Sequence, residues 1–107
     1  MNVHQLGQSD NGARVDTKVG DTVRIMLDET RTAGFRWTLG DYDTSICRVA
    51  SDVFKPPAGA TSGGTGHHVW TFEVLDAGET KLAFSYGRNW SRDGAEPSFT
   101  ATVLARK

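Results

Sequence analysis

Cys47 and the histidines are the side chains of this sequence best suited to nucleophilic chemistry. A cysteine nucleophile needs a histidine base within hydrogen-bonding reach, and His4, His67 and His68 are the three in the sequence. Cys47 lies in the apolar run Ser45 to Val49, where a buried and unreactive thiol is the usual outcome. The sequence therefore predicts a protein that is not an enzyme.

The neighbouring histidines His67 and His68 also raise the question of a metal site. Successive residues of an extended chain point to opposite faces, so the two rings are poorly placed to hold one ion together. With a single cysteine, a zinc site of several thiolates and an internal disulfide are both excluded. We expect both histidines to be solvated in a loop, and we expect no metal and no cofactor.

Three segments instead contain residues suited to contact with another macromolecule. The first loop, Asp28 to Trp37, is longer than a tight hairpin needs, and its residues Thr30 to Gly34 are hard to explain as core. The second loop, Gly59 to His68, has four glycines in its first eight positions. It is either a flexible connection or a backbone that approaches another surface closely. The third loop, Tyr86 to Gly94, places Trp90 among polar residues, where it either folds back onto the core or anchors a partner.

Short runs that alternate with period two surround these loops, and no stretch of eleven or more residues has helical spacing. The clearest run is Thr22 to Leu27, in which every second residue is a bulky aliphatic. Similar runs predict further strands, with most of their aromatic residues in the core; they are Phe35 to Leu39, Ser45 to Val49, His68 to Leu75, Leu82 to Tyr86 and Phe99 to Leu104. The count is six or seven strands.

Six or seven short strands without helices between them predict an all-β fold, an immunoglobulin-like β-sandwich of two antiparallel sheets. Asp76 to Glu79 supplies a turn, so we expect the strands on either side of it to form a hairpin. Pro56 and Pro57 cannot donate to a central ladder, and Ser45 to Val49 is accordingly predicted to be an edge strand. In a sandwich with this strand order, the three loops lie at the same end.

The composition is that of one soluble domain spanning residues 1–107. A hydrophobic share of 37% and a charged share of 23% are near globular values, which argues against disorder and against a membrane protein. Twelve basic and thirteen acidic residues, mixed along the chain, disfavour a nucleic-acid partner. Met1 to Asp10 is too polar for the centre of a secretion signal, so we expect a cytoplasmic protein or a processed secreted or periplasmic form.

At the three loops the sequence resembles the chagasin family of cysteine protease inhibitors. Members of that family carry an Asn-Pro-Thr-Thr-Gly-aromatic loop, a glycine-rich loop and an Arg-Pro-Trp loop. Here Thr30-Arg31-Thr32-Ala33-Gly34-Phe35 is similar to the first motif, the glycine-rich stretch ahead of Trp70 to the second, and Arg88-Asn89-Trp90 to the third. The likeness covers about Val15 to Leu104.

The resemblance implies a protein inhibitor of papain-family cysteine proteases that occludes the active-site cleft reversibly with the three loops. A papain-like protease is then the partner, with no nucleic acid and no membrane, and the free inhibitor is expected to be a monomer. The apex of the second loop is either Gly63-Gly64-Thr65 or the segment around Gly66 and His67. The protease-binding residues that the resemblance implies are Thr30, Arg31, Thr32, Ala33, Gly34, Phe35, Gly63, Gly64, Thr65, Gly66, Arg88, Asn89 and Trp90.

Four residues depart from the motifs of that family. Thr30, Arg31 and Ala33 stand where Asn, Pro and Thr are usual, and Asn89 stands where the third motif has proline. Loss of the proline at Arg31 costs about 0.4–1 kcal/mol of preorganisation, and Ala33 lacks a hydroxyl that could bond to the enzyme.

One other function stays open from the residues alone. An immunoglobulin-like binding module for carbohydrate, or for an unrelated protein, would use Trp37, Trp70 or Trp90 as a stacking platform. Burial of Trp37 and Trp70 would argue against a flat aromatic sugar site.

Overall fold

The chain folds into two β-sheets packed face to face. This is seen in a computed structural model, which describes residues 2–29, 35–56, 65–88 and 99–107. In these ranges the strands are β1 (Val3–Leu6), β2 (Ala13–Lys18), β3 (Thr22–Glu29), β4 (Phe35–Leu39), β5 (Cys47–Lys55), β6 (Gly66–Val74), β7 (Gly78–Arg88) and β8 (Phe99–Arg106). Sheet 1 has the strand order β1-β3-β6-β5, and sheet 2 has the order β2-β8-β7-β4. A 3-10 turn, Gln8–Asp10, connects β1 to β2 across the sandwich.

The core lies between the sheets and is built from the inward positions of the alternating strands. In β3, β6 and β8 nearly every second residue is buried, as the period-two patterns predicted. The ring of Phe84 in sheet 2 packs against Trp70 of sheet 1 at a centroid distance of 4.6 Å and against Phe99 at 6.0 Å. Burial of each large apolar side chain stabilises the fold by about 1.5–3 kcal/mol, so this layer holds the two sheets together.

The predicted all-β, immunoglobulin-like sandwich is confirmed, and the pairing of its strands adds one detail. β3 pairs antiparallel with β6, β5 with β6, β4 with β7 and β7 with β8. β1 runs parallel to β3, and β2 runs parallel to β8. Each sheet is therefore mixed, with one parallel pair at an edge, and not purely antiparallel as predicted.

The expected hairpin across Asp76 to Glu79 is wrong. β6 belongs to sheet 1 and β7 to sheet 2, so the chain crosses from one sheet to the other at this turn. Gly78 has φ +143°, and a Cβ there would lie 2.7 Å from Ile46 Cδ1, so the crossing requires glycine. Alternation shows which face of a strand is buried. It does not show whether the next strand pairs with it in the same sheet or lies in the opposite sheet, because both cases have the same pattern.

The N-terminal residues add two strands that the sequence patterns did not predict, which brings the total in the described ranges to eight. β1 and β2 carry few large apolar residues, and only Val15 and Thr17 of β2 are buried. Asp21 fastens β1 to the turn before β3: its carboxylate accepts hydrogen bonds from the backbone N–H of Asn2 and of Lys18, and it contacts His4 Nε2 at 2.9 Å. Polar anchoring replaces apolar alternation here.

β5 is an edge strand, as predicted, but it runs from Cys47 to Lys55 rather than from Ser45 to Val49. Its ladder with β6 shifts register between Val49 and Ser51, the sign of a β-bulge. In the part of the chain that the structure covers, no helix has the length and apolar character needed to cross a bilayer.

Candidate functional site

In the structure the first loop is the connection from β3 to β4, the second from β5 to β6 and the third from β7 to β8, so the strands extend into the loop bounds expected from the sequence. All three loops connect strands at one end of the sandwich. In sheet 1, Glu29 at the end of β3 pairs with Gly66 at the start of β6, and Lys55 at the end of β5 pairs with His67. In sheet 2, Phe35 at the start of β4 pairs with Arg88 at the end of β7. The expected placement of the loops at a common end therefore agrees with the strand register on both sheets.

Four of the predicted protease-binding residues lie on or next to these strand ends. Phe35 opens β4 and is half-buried, Gly66 opens β6 and is buried, Thr65 precedes it and is exposed, and Arg88 closes β7. The other predicted residues lie outside the described residues; they are Thr30, Arg31, Thr32, Ala33, Gly34, Gly63, Gly64, Asn89 and Trp90.

At the loop end of the sandwich, aromatic rings pack against one another on the strands of sheet 2. The ring of Phe35 stacks on that of Tyr86 at 5.3 Å, with 20° between the planes. The same tyrosine contacts Trp37 at 4.6 Å. Trp37 is 7% exposed, so its predicted place in the core is confirmed, while Phe35 bridges the core and the first loop. These rings fix the strand ends from which the first and third loops leave.

Gly66 sets the spacing at the base of the second loop. A Cβ at this position would lie 2.5 Å from Phe54 Cζ and 2.6 Å from the carbonyl oxygen of Lys55. Distances this short are incompatible with a side chain, so only glycine lets β5 and β6 approach as they do. The close packing of β5 against β6 therefore requires glycine at the start of β6.

A buried carboxylate, Glu29, joins the two sheets beneath the loops. It is 0% exposed, and its Oε1 accepts a hydrogen bond of 2.8 Å from the backbone N–H of Trp37. His68 Nδ1 lies 3.0 Å from the same oxygen, and His68 Nε2 contacts Asp52 Oδ1. The indole Nε1–H of Trp37 also donates to the backbone oxygen of Asp28 at 2.7 Å.

Sequence reasoning missed Glu29, although a signal for it exists. β3 places Val23, Ile25 and Leu27 on its inward face, and Glu29 is the next position of that series. A carboxylate at an inward position must be satisfied by partners. Reading the alternation one step further would have identified it.

The prediction that His67 and His68 are solvated loop residues is wrong, because both lie on β6. His67 is exposed and reaches Asp28 at 3.2 Å, whereas His68 is buried and stacks on Trp70 at 3.9 Å. The two rings point to opposite faces, as expected for neighbours in a strand. Among the described residues, no group of three or more potential ligands is arranged to hold a metal ion.

Cys47 lies at the start of β5, at the opposite end from the loops, and is fully buried. Burial raises the pKa of its thiol to about 11, with a further contribution from the negative charge of Asp43. The ring nitrogens of the histidines instead contact carboxylates: His4 contacts Asp21, His67 contacts Asp28, and His68 contacts Glu29 and Asp52. The arrangement provides no activated thiol.

Comparisons with known proteins agree with this architecture. Residues 16–103 match the family described as chagasin family peptidase inhibitor I42. Among solved structures, the chain is similar to the cysteine protease inhibitor EhICP2 from Entamoeba histolytica, with a TM-score of 0.86 and 24% identity over 99% of this chain and 97% of that one. A comparison with curated proteins found no match.

Two further solved structures share the fold at lower identity. Amebosin has a TM-score of 0.76 and 20% identity, covering 96% of this chain and 98% of its own. PbICP-C, solved in complex with falcipain-2, has a TM-score of 0.65 and 15% identity, covering 98% of this chain and 92% of its own.

Proposed function

The chain belongs to the chagasin family of peptidase inhibitors, and we propose that it inhibits papain-like cysteine proteases reversibly by inserting its three loops into the active-site cleft. The observation that carries this proposal is the common end of the sandwich, where β3–β4, β5–β6 and β7–β8 are connected. Two structural neighbours support the class of target. EhICP2 is a cysteine protease inhibitor, and PbICP-C was solved in complex with falcipain-2.

In this proposal the second loop covers the catalytic Cys-His pair of the protease with backbone, because its glycines allow a close approach. The first loop and the third loop grip the cleft on either side, with Phe35, Arg88 and Trp90 as the larger contact residues. An interface of standard size buries about 800 Å² on each partner, and no covalent step is needed.

The carbohydrate-binding alternative loses two of its three candidate platforms. Trp37 is 7% exposed and Trp70 is 2% exposed, so neither can stack on a sugar ring. Trp90, outside the described residues, remains as a single aromatic and would not by itself make a flat platform.

Titration of active-site-counted papain with the purified protein tests the function. We expect complete inhibition of the cleavage of a fluorogenic peptide at a 1:1 ratio, reversed on dilution, with trypsin unaffected as the control. Absence of inhibition across a panel of papain-like proteases would refute the proposal.

The contact residues are tested with Trp90→Ala. An interface hot spot of this type contributes about 2 kcal/mol, so its loss should weaken inhibition about thirtyfold. An unchanged inhibition constant would mean that the third loop does not enter the cleft.

A further inference from the structure

One network of polar contacts holds the four strand ends that flank the first and second loops. Glu29 is the last residue of β3. The Trp37 N–H that donates a hydrogen bond to its carboxylate lies two residues after the start of β4. His68 lies two residues into β6, and Asp52 lies three residues before the end of β5. Each of the four strands contributes a group within three residues of the strand end that faces the loops.

The network crosses between the sheets as well as within one. β3, β5 and β6 belong to sheet 1, and β4 belongs to sheet 2. Glu29 is fully buried and His68 is stacked on Trp70, so both partners are held in place by the core beneath them. Hydrogen bonds to a charged group are stronger and more directional than neutral ones, which suits a fixed junction rather than an adaptable one.

We propose that Glu29 and His68 form a positioning pair that sets the placement of the first loop relative to the second, and through it the time for which the inhibitor stays on its protease. The inference rests on the proposed function. Glu29 directly precedes Thr30, so a shift of its carboxylate moves the start of the first loop. The same shift changes the contact with His68, two residues after Gly66 at the base of the second loop.

The chain offers a matched control at its other end. His4 and Asp21 form a similar pair, 2.9 Å apart, with Asp21 directly before the start of β3 and Glu29 at its end. This pair also supports the fold, but it lies about eight strand residues, roughly 25 Å, from the loops. If the Glu29–His68 pair had a purely structural role, its variants would lower the melting temperature and leave the dissociation rate unchanged, as we expect for a change at Asp21.

The test compares Glu29→Ala, Glu29→Gln and His68→Phe with Asp21→Asn. Dissociation rate constants from papain are measured at 25 °C together with the melting temperature of each variant. We expect Glu29→Ala and His68→Phe to dissociate about tenfold to a hundredfold faster than the unmodified protein, the range by which one charge-assisted hydrogen bond changes an equilibrium. Asp21→Asn should lower the melting temperature and leave the dissociation rate unchanged.

Glu29→Gln supplies the rescue. Its amide oxygen can still accept from the Trp37 N–H, so its dissociation rate should lie between those of Glu29→Ala and the unmodified protein. If Glu29→Ala does not fold, Glu29→Gln and His68→Phe decide the question. Folded variants that dissociate at the original rate would overturn the positioning role while leaving the proposed function intact, whereas an unmodified protein that fails to inhibit papain would overturn both.

Discussion

Phe35 stands directly opposite Arg88 in the ladder between β4 and β7. The first loop ends at one member of this pair and the third loop begins at the other, so the two loops share a base of two hydrogen-bonded strands. The stacked ring of Tyr86, two residues before Arg88, fills the inner side of that base. A change at Phe35 is therefore felt by both loops.

Replacing Phe35 by alanine should weaken inhibition of papain by about two- to tenfold. The aromatic pair with Tyr86 contributes about 0.5–1.5 kcal/mol beyond the area that it buries, and its loss loosens the strand ends under both loops. Inhibition constants and melting temperatures of Phe35→Ala are compared with those of Phe35→Tyr, which keeps the stack. Equal inhibition by the two variants would contradict this role.

Gly66→Ala should be destabilising by about 1–3 kcal/mol, the usual range for overpacking, and should weaken inhibition as well. The added Cβ would lie 2.5 Å from Phe54 Cζ and 2.6 Å from the oxygen of Lys55, so β5 and β6 must separate at the base of the second loop. Urea unfolding measures the stability, and papain titration measures the inhibition.

The control for Gly66→Ala is Gly7→Ala. A Cβ at Gly7 meets nothing closer than Asp10 Oδ2 at 4.0 Å, and the φ of Gly7 is −124°, which any residue can adopt. This variant should match the unmodified protein in stability and inhibition. A Gly66→Ala protein that behaves the same way would show that the close approach is not required.

Acid should remove the stabilising contribution of Asp21. The hydrogen bond with His4 holds the pKa of this carboxyl well below its usual range, and the backbone N–H groups of Asn2 and Lys18 act in the same direction. A depressed pKa in the folded state means that the contribution is complete above the pKa of the unfolded chain and is lost as the pH falls toward that of the folded state. The loss should therefore begin below about pH 4.

Urea unfolding between pH 2.5 and 6 tests this with Asp21→Asn as the comparison. The variant should be less stable than the unmodified protein near pH 6, and the difference should shrink steadily as the pH falls below 4. A difference that stays constant with pH would mean that the charge of Asp21 does not contribute.

The sequence predicted the parts of the fold that repeat a strong local pattern. β3, β6 and β8 alternate large apolar and polar residues, and that pattern alone determines which face is buried. The common end of the three loops followed from connectivity in a two-sheet sandwich. Trp37 and Cys47 were also predicted correctly as buried residues, because aromatic and thiol side chains in alternating or apolar runs belong to the core.

The rest depends on contacts between residues far apart in the chain. The alternation in β6 and β7 does not specify that they lie in different sheets, and the polar anchoring of β1 by Asp21 has no local pattern. The partnership of Glu29 with His68, 39 positions away, appears only when β3 and β6 pair. Local patterns thus located the candidate site but not the polar network beneath it.

Cys47 should be inert in the folded protein and dispensable for inhibition. With its pKa raised to about 11 by burial, the thiol is almost entirely un-ionised at pH 8, whereas a free cysteine is partly ionised. Alkylation by iodoacetamide should therefore proceed only as fast as the protein opens, and it should accelerate sharply in urea. Cys47→Ala should keep the inhibition constant for papain unchanged, since the thiol lies at the opposite end of β5 from the second loop. Rapid alkylation of the native protein with simultaneous loss of inhibition would instead place this thiol at the functional surface.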